Sequence, residues 1–282
     1  MNMQDYKRIL TTQDISCLGQ CSGSVALPVL SACGHETCLI PSALLSTHTG
    51  QFQGYTFFDL TDQIPGIIAH WQREGIKFDA LYTGYLGNAR QAQFAREMIE
   101  TLLRPEALII VDPAMADNGK LYAGLDKTCV DAMRSLCSAA DVILPNLTEA
   151  CLLTGIDYRE GWDRDYINRL LDALLSLGAK SVVLTGVVFS EGTTGGIIAH
   201  GTERKYFRHR RVNRMFHGTG DVFAASFTGA FLRGLSLEAA AELAARFTLR
   251  SIEKTEDDPA HWYGVKFETA LPMLINELDR HE

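Results

Sequence analysis

The 282-residue sequence predicts an α/β protein whose parallel central sheet is covered by helices on both faces. Short apolar segments rich in β-branched residues alternate with longer amphipathic segments, which is the order of repeated strand and helix units. The short segments are apolar almost throughout, and this is typical of strands that are buried on both sides of a sheet.

The predicted strands span residues 8–13, 37–41, 78–83, 108–111, 142–144 and 182–185. The predicted helices between them span residues 25–33, 61–74, 89–103, 125–139 and 163–177. Residues 193–200 and 204–212 are expected to form a hairpin. Helical segments follow over residues 220–254 and 267–278, with a break at 234–236 where Ser236 can cap a new helix. Because no linker or repeat interrupts this order, we expect one domain over residues 1–282.

Composition excludes several classes of protein. The net charge of −8 argues against nucleic acid as a partner, since phosphate backbones are bound by basic surfaces. No apolar run approaches the roughly 20 residues that a membrane-spanning helix needs, and the polar N-terminus does not resemble a signal peptide. The seven cysteines are odd in number and lack zinc-site spacing, so neither a disulfide framework nor a structural metal is expected. A cytoplasmic location without a membrane partner is the simplest expectation.

Polar and glycine clusters follow the predicted strands. In an open α/β sheet, ligands bind beyond the carboxyl ends of the strands. We therefore expect a single active site at this edge, built from the residues that follow each strand in turn: Asp14, residues 46–50, residues 84–87, Asp112 with Asp117, Asn146 with Glu149, and Thr185 with Gly186.

The segment Gly218-Thr219-Gly220-Asp221 precedes residues with helical apolar spacing. A glycine loop at a helix N-terminus exposes N–H groups that bind phosphate. An aspartate in the first turn could accept a proton from a substrate hydroxyl during phosphoryl transfer. The segment could instead be a simple helix entry. A dinucleotide-binding fingerprint would need glycine at Phe223, and the Walker A and nucleophile-elbow motifs are absent.

Three further features permit two interpretations each. Asn146 and Glu149 have the spacing of a capping box, and Glu149 could also hold a water on Mg²⁺. The basic residues between Arg204 and Arg214 favour a solvated hairpin face, from which one or two arginines could reach a nucleotide phosphate. His48 lies between two threonines, and it is either a surface residue or part of a substrate pocket.

The sequence resembles the pyridoxal kinase group of the ribokinase-like superfamily. The resemblance covers most of the chain, and its motifs occur in the family's order: residues 46–50, 83–87, 111–117, 141–149 and 218–221. It implies a three-layer α/β/α sandwich with a mostly parallel sheet, and a homodimer. It also implies a kinase that uses ATP and Mg²⁺, with a monovalent cation left open, to phosphorylate the 5′-hydroxyl of a B6 vitamer.

The resemblance also implies roles for single residues. Asp221 is the catalytic base, and Gly218, Thr219 and Gly220 form the anion hole. Groups near the nucleotide are Asp112, Asp117, Asn146, Glu149, Thr185 and Gly186, with Glu149 and Asp112 serving the metal through water. Groups that line the vitamer site are Asp14, Thr47, His48 and Tyr85.

Two departures from the family pattern affect these expectations. Many pyridoxal kinases have serine at the position of Asp14, and a carboxylate suits a substrate donor such as a pyridinium N–H or a hydroxyl. Ala116 replaces a glycine that is common in its loop. The sequence leaves open a kinase for a hydroxymethylpyrimidine, a sugar or another small alcohol, and a non-catalytic protein that binds nucleotide or vitamer. Hydroxymethylpyrimidine kinases generally carry cysteine at the position of Asp221.

Overall fold

A computed structural model describes residues 6–188, 190–212 and 214–281 of the chain. The strands are β1 (Arg8–Leu18), β2 (Glu36–Thr47), β3 (Phe57–Asp59), β4 (Phe78–Thr83), β5 (Leu103–Val111), β6 (Ala116–Asp117), β7 (Lys120–Leu121), β8 (Val142–Ile143), β9 (Ser181–Val187), β10 (Thr193–His200) and β11 (Glu203–Arg210). The helices are α1 (Gly23–Ala32), α2 (Ile64–Arg73), α3 (Ala89–Leu102), α4 (Lys127–Cys137), α5 (Leu147–Thr154), α6 (Arg164–Ser176), α7 (Thr219–Leu232), α8 (Leu237–Glu253) and α9 (Leu271–Asp279).

The strands assemble into a large sheet in the order β11-β10-β9-β8-β5-β4-β1-β2-β3, and β6 and β7 form a small separate hairpin. The pairs from β9 through β2 are parallel, whereas β10, β11 and β3 join antiparallel at the two edges. The predicted α/β class with a mostly parallel sheet is therefore confirmed.

Successive strand residues face opposite layers, as the alternation of a pleated strand requires. Ile9 packs in the layer formed by α1, α7, α8 and α9, and its neighbour Leu10 packs against α2 and α3. Helices α4, α5 and α6 cover the same face as α2 and α3, farther along the sheet. Two apolar layers on opposite faces explain why the strands are apolar at nearly every position.

The first two strands are longer than predicted. Beyond Gln13, β1 continues to pair with β2 through a register shift, so Asp14 lies within β1 and Thr47 ends β2. Asp14 and residues 46–47 were expected to follow these strands, because polar residues end the apolar runs there. Strand β3 was missed, because it is three residues long and its side chains are exposed.

Local signals for helix ends are confirmed. The side chain of Ser236 accepts a hydrogen bond from the Ala239 N–H at the start of α8. Asn146 and Glu149 form a capping box at the start of α5. Within the described ranges, no helix is both long enough and apolar enough to cross a membrane.

Candidate active site

Asp221 lies in the first turn of α7, and no side chain caps this helix. The N-cap Gly218 has φ 74°, and a Cβ at this position would lie 1.7 Å from the main-chain oxygen of Gln20. Position 218 therefore requires glycine. Nothing lies within 4 Å of the Cβ position at Gly220. The first turn of α7 thus combines open space with N–H groups that can bind an anion.

The Asp221 side chain is half-buried, and its partial removal from water raises its pKa to about 7. The main-chain N–H of Ser22 favours the ionised form, whereas the charge of Asp14 opposes it. Asp221 in turn raises the pKa of Asp112, after the larger effects of burial and of Glu149. The charge of Asp221 therefore interacts with the carboxyls of both Asp14 and Asp112.

Glu149 is buried and fastens two segments of the sheet edge together. One carboxylate oxygen accepts the Asn146 N–H at 2.8 Å, and the other accepts the N–H groups of Met115 at 3.1 Å and Ala116 at 3.5 Å. The Asn146 amide donates to the Ala116 carbonyl at 2.8 Å. Burial nevertheless raises the pKa of Glu149 to about 8. The capping-box interpretation is confirmed, and the same carboxylate also anchors the segment that precedes Asp117.

The other residues predicted near the nucleotide lie along the same edge. Asp112 is buried directly after β5, and Asp117 is exposed and accepts from the N–H and the amide of Asn118. The Thr185 N–H donates to the Pro145 carbonyl at 2.9 Å. Gly186 has φ 74° and an open Cβ position. The described residues contain no group of three or more His, Cys, Asp or Glu side chains arranged to bind a metal directly.

Asp14 is 5% exposed. The pKa of Tyr85 rises to about 12, mainly through burial and then through the charge of Asp14. The Thr47 hydroxyl is buried and has no hydrogen-bond partner among the described residues. The structure thus brings the predicted vitamer residues to one region beside Asp221. Their contacts with a ligand stay a prediction.

His48 is buried, and both of its ring nitrogens are used by the main chain. Nδ1 accepts the Gly50 N–H at 3.0 Å, so Nε2 carries the hydrogen and donates to the Tyr263 carbonyl at 2.9 Å. The neutral imidazole has no nitrogen left for a substrate unless one of these bonds breaks. The interpretation of His48 as a surface residue is wrong, because the side chain is buried. Its hydrogen bond to Tyr263 connects the loop after β2 to residues 261–264.

Sequence reasoning missed two residues of the site. Ser22 has φ 49° and ψ −128°, an unusual conformation for a residue other than glycine. Its main-chain N–H lowers the pKa of Asp221, and its hydroxyl lowers the pKa of Asp14. Tyr122 follows the β6–β7 hairpin and is 41% exposed. Loss of water around its hydroxyl raises its pKa, and so do four surrounding carboxylates, Glu149 first. In the sequence Ser22 is adjacent to Gly23, and Tyr122 is near Asp117. Neither residue belongs to a motif that would have identified it.

Most of the basic residues between Arg204 and Arg214 bind other parts of the protein. Arg204 pairs with Asp172, Lys205 with Glu238, Arg210 with Glu253 and Glu256, and Arg214 donates to the Glu256 carbonyl. Arg208 lines a cavity of about 140 Å³ next to Val187 in β9. Lys205, Arg208, Arg210 and Arg211 are nevertheless exposed, so the solvated-face interpretation is confirmed for most of the basic residues. Asn213 lies outside the described residues.

The chain is similar to known kinases over most of its length. The sequence profile of the phosphomethylpyrimidine kinase family matches residues 29–264. A pyridoxine/pyridoxal/pyridoxamine kinase of Bordetella avium is 27% identical over 264 residues, which cover 88% of this chain and 85% of the relative.

Two solved structures are similar over nearly the whole chain. The pyridoxal kinase of Lactobacillus plantarum is 33% identical, with a TM-score of 0.90 over 98% of this chain and 99% of that one. A Bacteroides thetaiotaomicron protein described as a phosphomethylpyrimidine kinase, solved with pyridoxal, is 36% identical, with a TM-score of 0.89 over 95% of each chain. The chain belongs to the phosphomethylpyrimidine kinase family and is an ATP-dependent kinase of the ribokinase-like superfamily.

Proposed function

We propose that this kinase transfers the γ-phosphate of ATP to the 5′-hydroxyl of a B6 vitamer, with Asp221 as the catalytic base. The observation that carries the proposal is the half-buried Asp221 carboxyl in the first turn of α7, where no side chain caps the helix and where Asp14 and Asp112 are close enough to interact with its charge. Pyridoxal and related vitamers are named for relatives that match most of the chain.

In the proposed reaction, the vitamer hydroxyl oxygen attacks the γ-phosphorus while its proton passes to Asp221. The bond from the γ-phosphorus to the bridging oxygen breaks, and ADP leaves. The pKa of about 7 makes Asp221 an effective proton acceptor near neutral pH. Free N–H groups of Thr219 and Gly220 would stabilise the negative charge on the phosphoryl group.

Magnesium fits the phosphate side of the site. Burial and neighbouring carboxylates raise the pKa of Asp112, as expected where acids cluster without a cation. The oxygens of Glu149 already accept main-chain N–H groups, so Glu149 and Asp112 would hold Mg²⁺ through its water ligands. Bound Mg²⁺ would neutralise charge on the nucleotide phosphates.

A hydroxymethylpyrimidine is the second candidate substrate. The family is described as phosphomethylpyrimidine kinase, and a hydroxymethylpyrimidine/phosphomethylpyrimidine kinase of Bacillus subtilis is 30% identical over 189 residues, or 64% of this chain. An ATP-consumption assay with Mg²⁺ would compare pyridoxal, pyridoxamine, pyridoxine, hydroxymethylpyrimidine and ribose. Strong turnover of a vitamer supports the proposal. Turnover of the pyrimidine or the sugar alone would identify that compound as the substrate instead. ATP binding without any turnover would instead favour a non-catalytic binding protein.

A homodimer is the proposed assembly, formed through the sheet edge at β3. Four apolar side chains in and beside this edge strand are exposed: Leu44, Tyr55, Phe57 and Phe58. Leu44 and Phe58 are directly paired across β2 and β3. An edge strand with unpaired main-chain groups and an apolar surface favours association with a second copy.

Phe58→Lys is expected to convert the dimer to a monomer, because Phe58 is 61% exposed and a lysine would bring charge into the apolar contact. Sedimentation of the purified protein over a range of concentrations measures the change. Ile275→Lys, at an exposed position on α9, serves as the control and is expected to leave the assembly intact. A wild-type protein that stays monomeric at all concentrations would contradict the proposed dimer.

The cytoplasmic location expected from the sequence stays a prediction. Fractionation of cells that produce the protein would test it.

A further inference from the structure

Asp14 occupies an unusual position in β1. The pairing of β1 with β2 shifts register between Gln13 and Ile15, so Asp14 lies at an irregularity in the strand. Such irregularities redirect a side chain away from the regular alternation. The result is a carboxylate that is 5% exposed and lies beside the proposed catalytic base.

The protein surrounds this carboxylate with neutral donors. The Ser16 hydroxyl lies 3.5 Å from Asp14 Oδ2, and the Ser22 hydroxyl also lowers the pKa of the carboxyl. His48 is the basic side chain that interacts with the charge of Asp14. Its two hydrogen bonds to the main chain, however, hold the ring in its neutral form. Across residues 6–188, 190–212 and 214–281, no lysine or arginine forms an ion pair with Asp14.

The other titratable groups near Asp14 add no positive charge. They are the thiol of Cys21, the phenol of Tyr85 and the carboxyl of Asp221. A buried carboxylate without a cationic partner is costly, and burial accordingly favours the protonated form of Asp14. A ligand that brought a positive charge would relieve this cost.

We propose that Asp14 is the counter-ion for a cationic N–H group of the substrate. The site would thereby select a pyridine alcohol with a pyridinium or ammonium group over a largely neutral pyrimidine. This inference rests on the proposed vitamer function and adds the chemical basis of substrate choice. A hydrogen bond between a cationic N–H and a carboxylate is about twice as strong as one between neutral groups.

Isothermal titration calorimetry would test the proposal without depending on turnover. The dissociation constants of pyridoxine, pyridoxamine and hydroxymethylpyrimidine would be measured for the wild-type protein, Asp14→Asn and Asp14→Ser. Loss of one partner of a buried charge pair weakens binding roughly 30-fold or more. We expect that loss for the vitamers in both variants, and less than about a threefold change for the pyrimidine.

The pattern among the ligands identifies the group that Asp14 binds. Equal losses for pyridoxine and pyridoxamine would indicate the ring N–H, and a loss for pyridoxamine alone would indicate its ammonium group. Equal losses for all three ligands, or no loss for any, would overturn the proposal. Asp279→Asn is the matched control, because Asp279 is the exposed last residue of α9. If the wild-type protein binds vitamers but phosphorylates none, the proposed function is wrong. The proposed role of Asp14 would still be tested by these dissociation constants.

Discussion

Asp221→Asn is expected to lower kcat by about 10²–10⁴-fold while the protein stays folded, because removal of a general base typically costs that much. Asparagine keeps the size of the side chain but cannot accept the hydroxyl proton. Steady-state assays with the preferred vitamer would measure the loss, and Asp257→Asn, an exposed carboxyl, is the control. Turnover within tenfold of the wild type in a folded Asp221→Asn protein would remove the assignment.

The pH dependence of the wild-type enzyme should follow from the same residue. Because burial raises the pKa of Asp221 to about 7, the base is largely protonated at pH 6 and ionised at pH 8. We therefore expect kcat/KM to rise through pH 7 and then to level off. The residual activity of Asp221→Asn should lack this rise.

Stability should change in the opposite direction to activity. A carboxyl whose pKa is higher in the folded than in the unfolded state destabilises the fold when it is ionised. The destabilisation begins as the pH rises above the pKa of the unfolded state, and it is complete above the pKa of the folded state. Without ligands, Asp221→Asn should therefore raise the free energy of unfolding at pH 8. The gain should shrink as the pH falls through 7 and vanish near pH 4, as urea unfolding at several pH values would show.

Glu149→Ala is expected to lower the free energy of unfolding by about 3 kcal/mol or more. The change leaves the N–H groups of Asn146, Met115 and Ala116 without an acceptor, and each buried unpaired group costs about 1–3 kcal/mol. Urea unfolding measures the loss. Glu149→Gln keeps one oxygen acceptor and should lie between the wild type and the alanine variant.

Glu242→Ala is the matched control, because Glu242 is exposed on α8 and alanine is a good helix former. Its stability should stay within about 0.5 kcal/mol of the wild type. A loss of less than about 1 kcal/mol for Glu149→Ala would contradict the view that this carboxylate fastens the loop after β5 to the start of α5.

Local signals in the sequence predicted much of the fold. The order of strands and helices follows from apolar periodicity, and β4 was predicted to the residue at 78–83. The glycine loop before α7, the capping box at Asn146 and the Ser236 cap all depend on a few adjacent residues. The strand β3 escaped prediction because it is stabilised by pairing with β2 across about ten residues of chain and not by its own pattern.

The sequence by itself determined the α/β class, the sheet edge that carries the site and the motifs of the kinase family. These properties depend on spacing along the chain, which a sequence displays directly. Only the tertiary structure decided that the charges of Asp14 and Asp112 interact with that of Asp221, and that Ser22 lowers the pKa of Asp14 and Asp221. It also decided that both ring nitrogens of His48 bond to main-chain groups. Burial and charge coupling arise between residues far apart in sequence, so no local pattern records them.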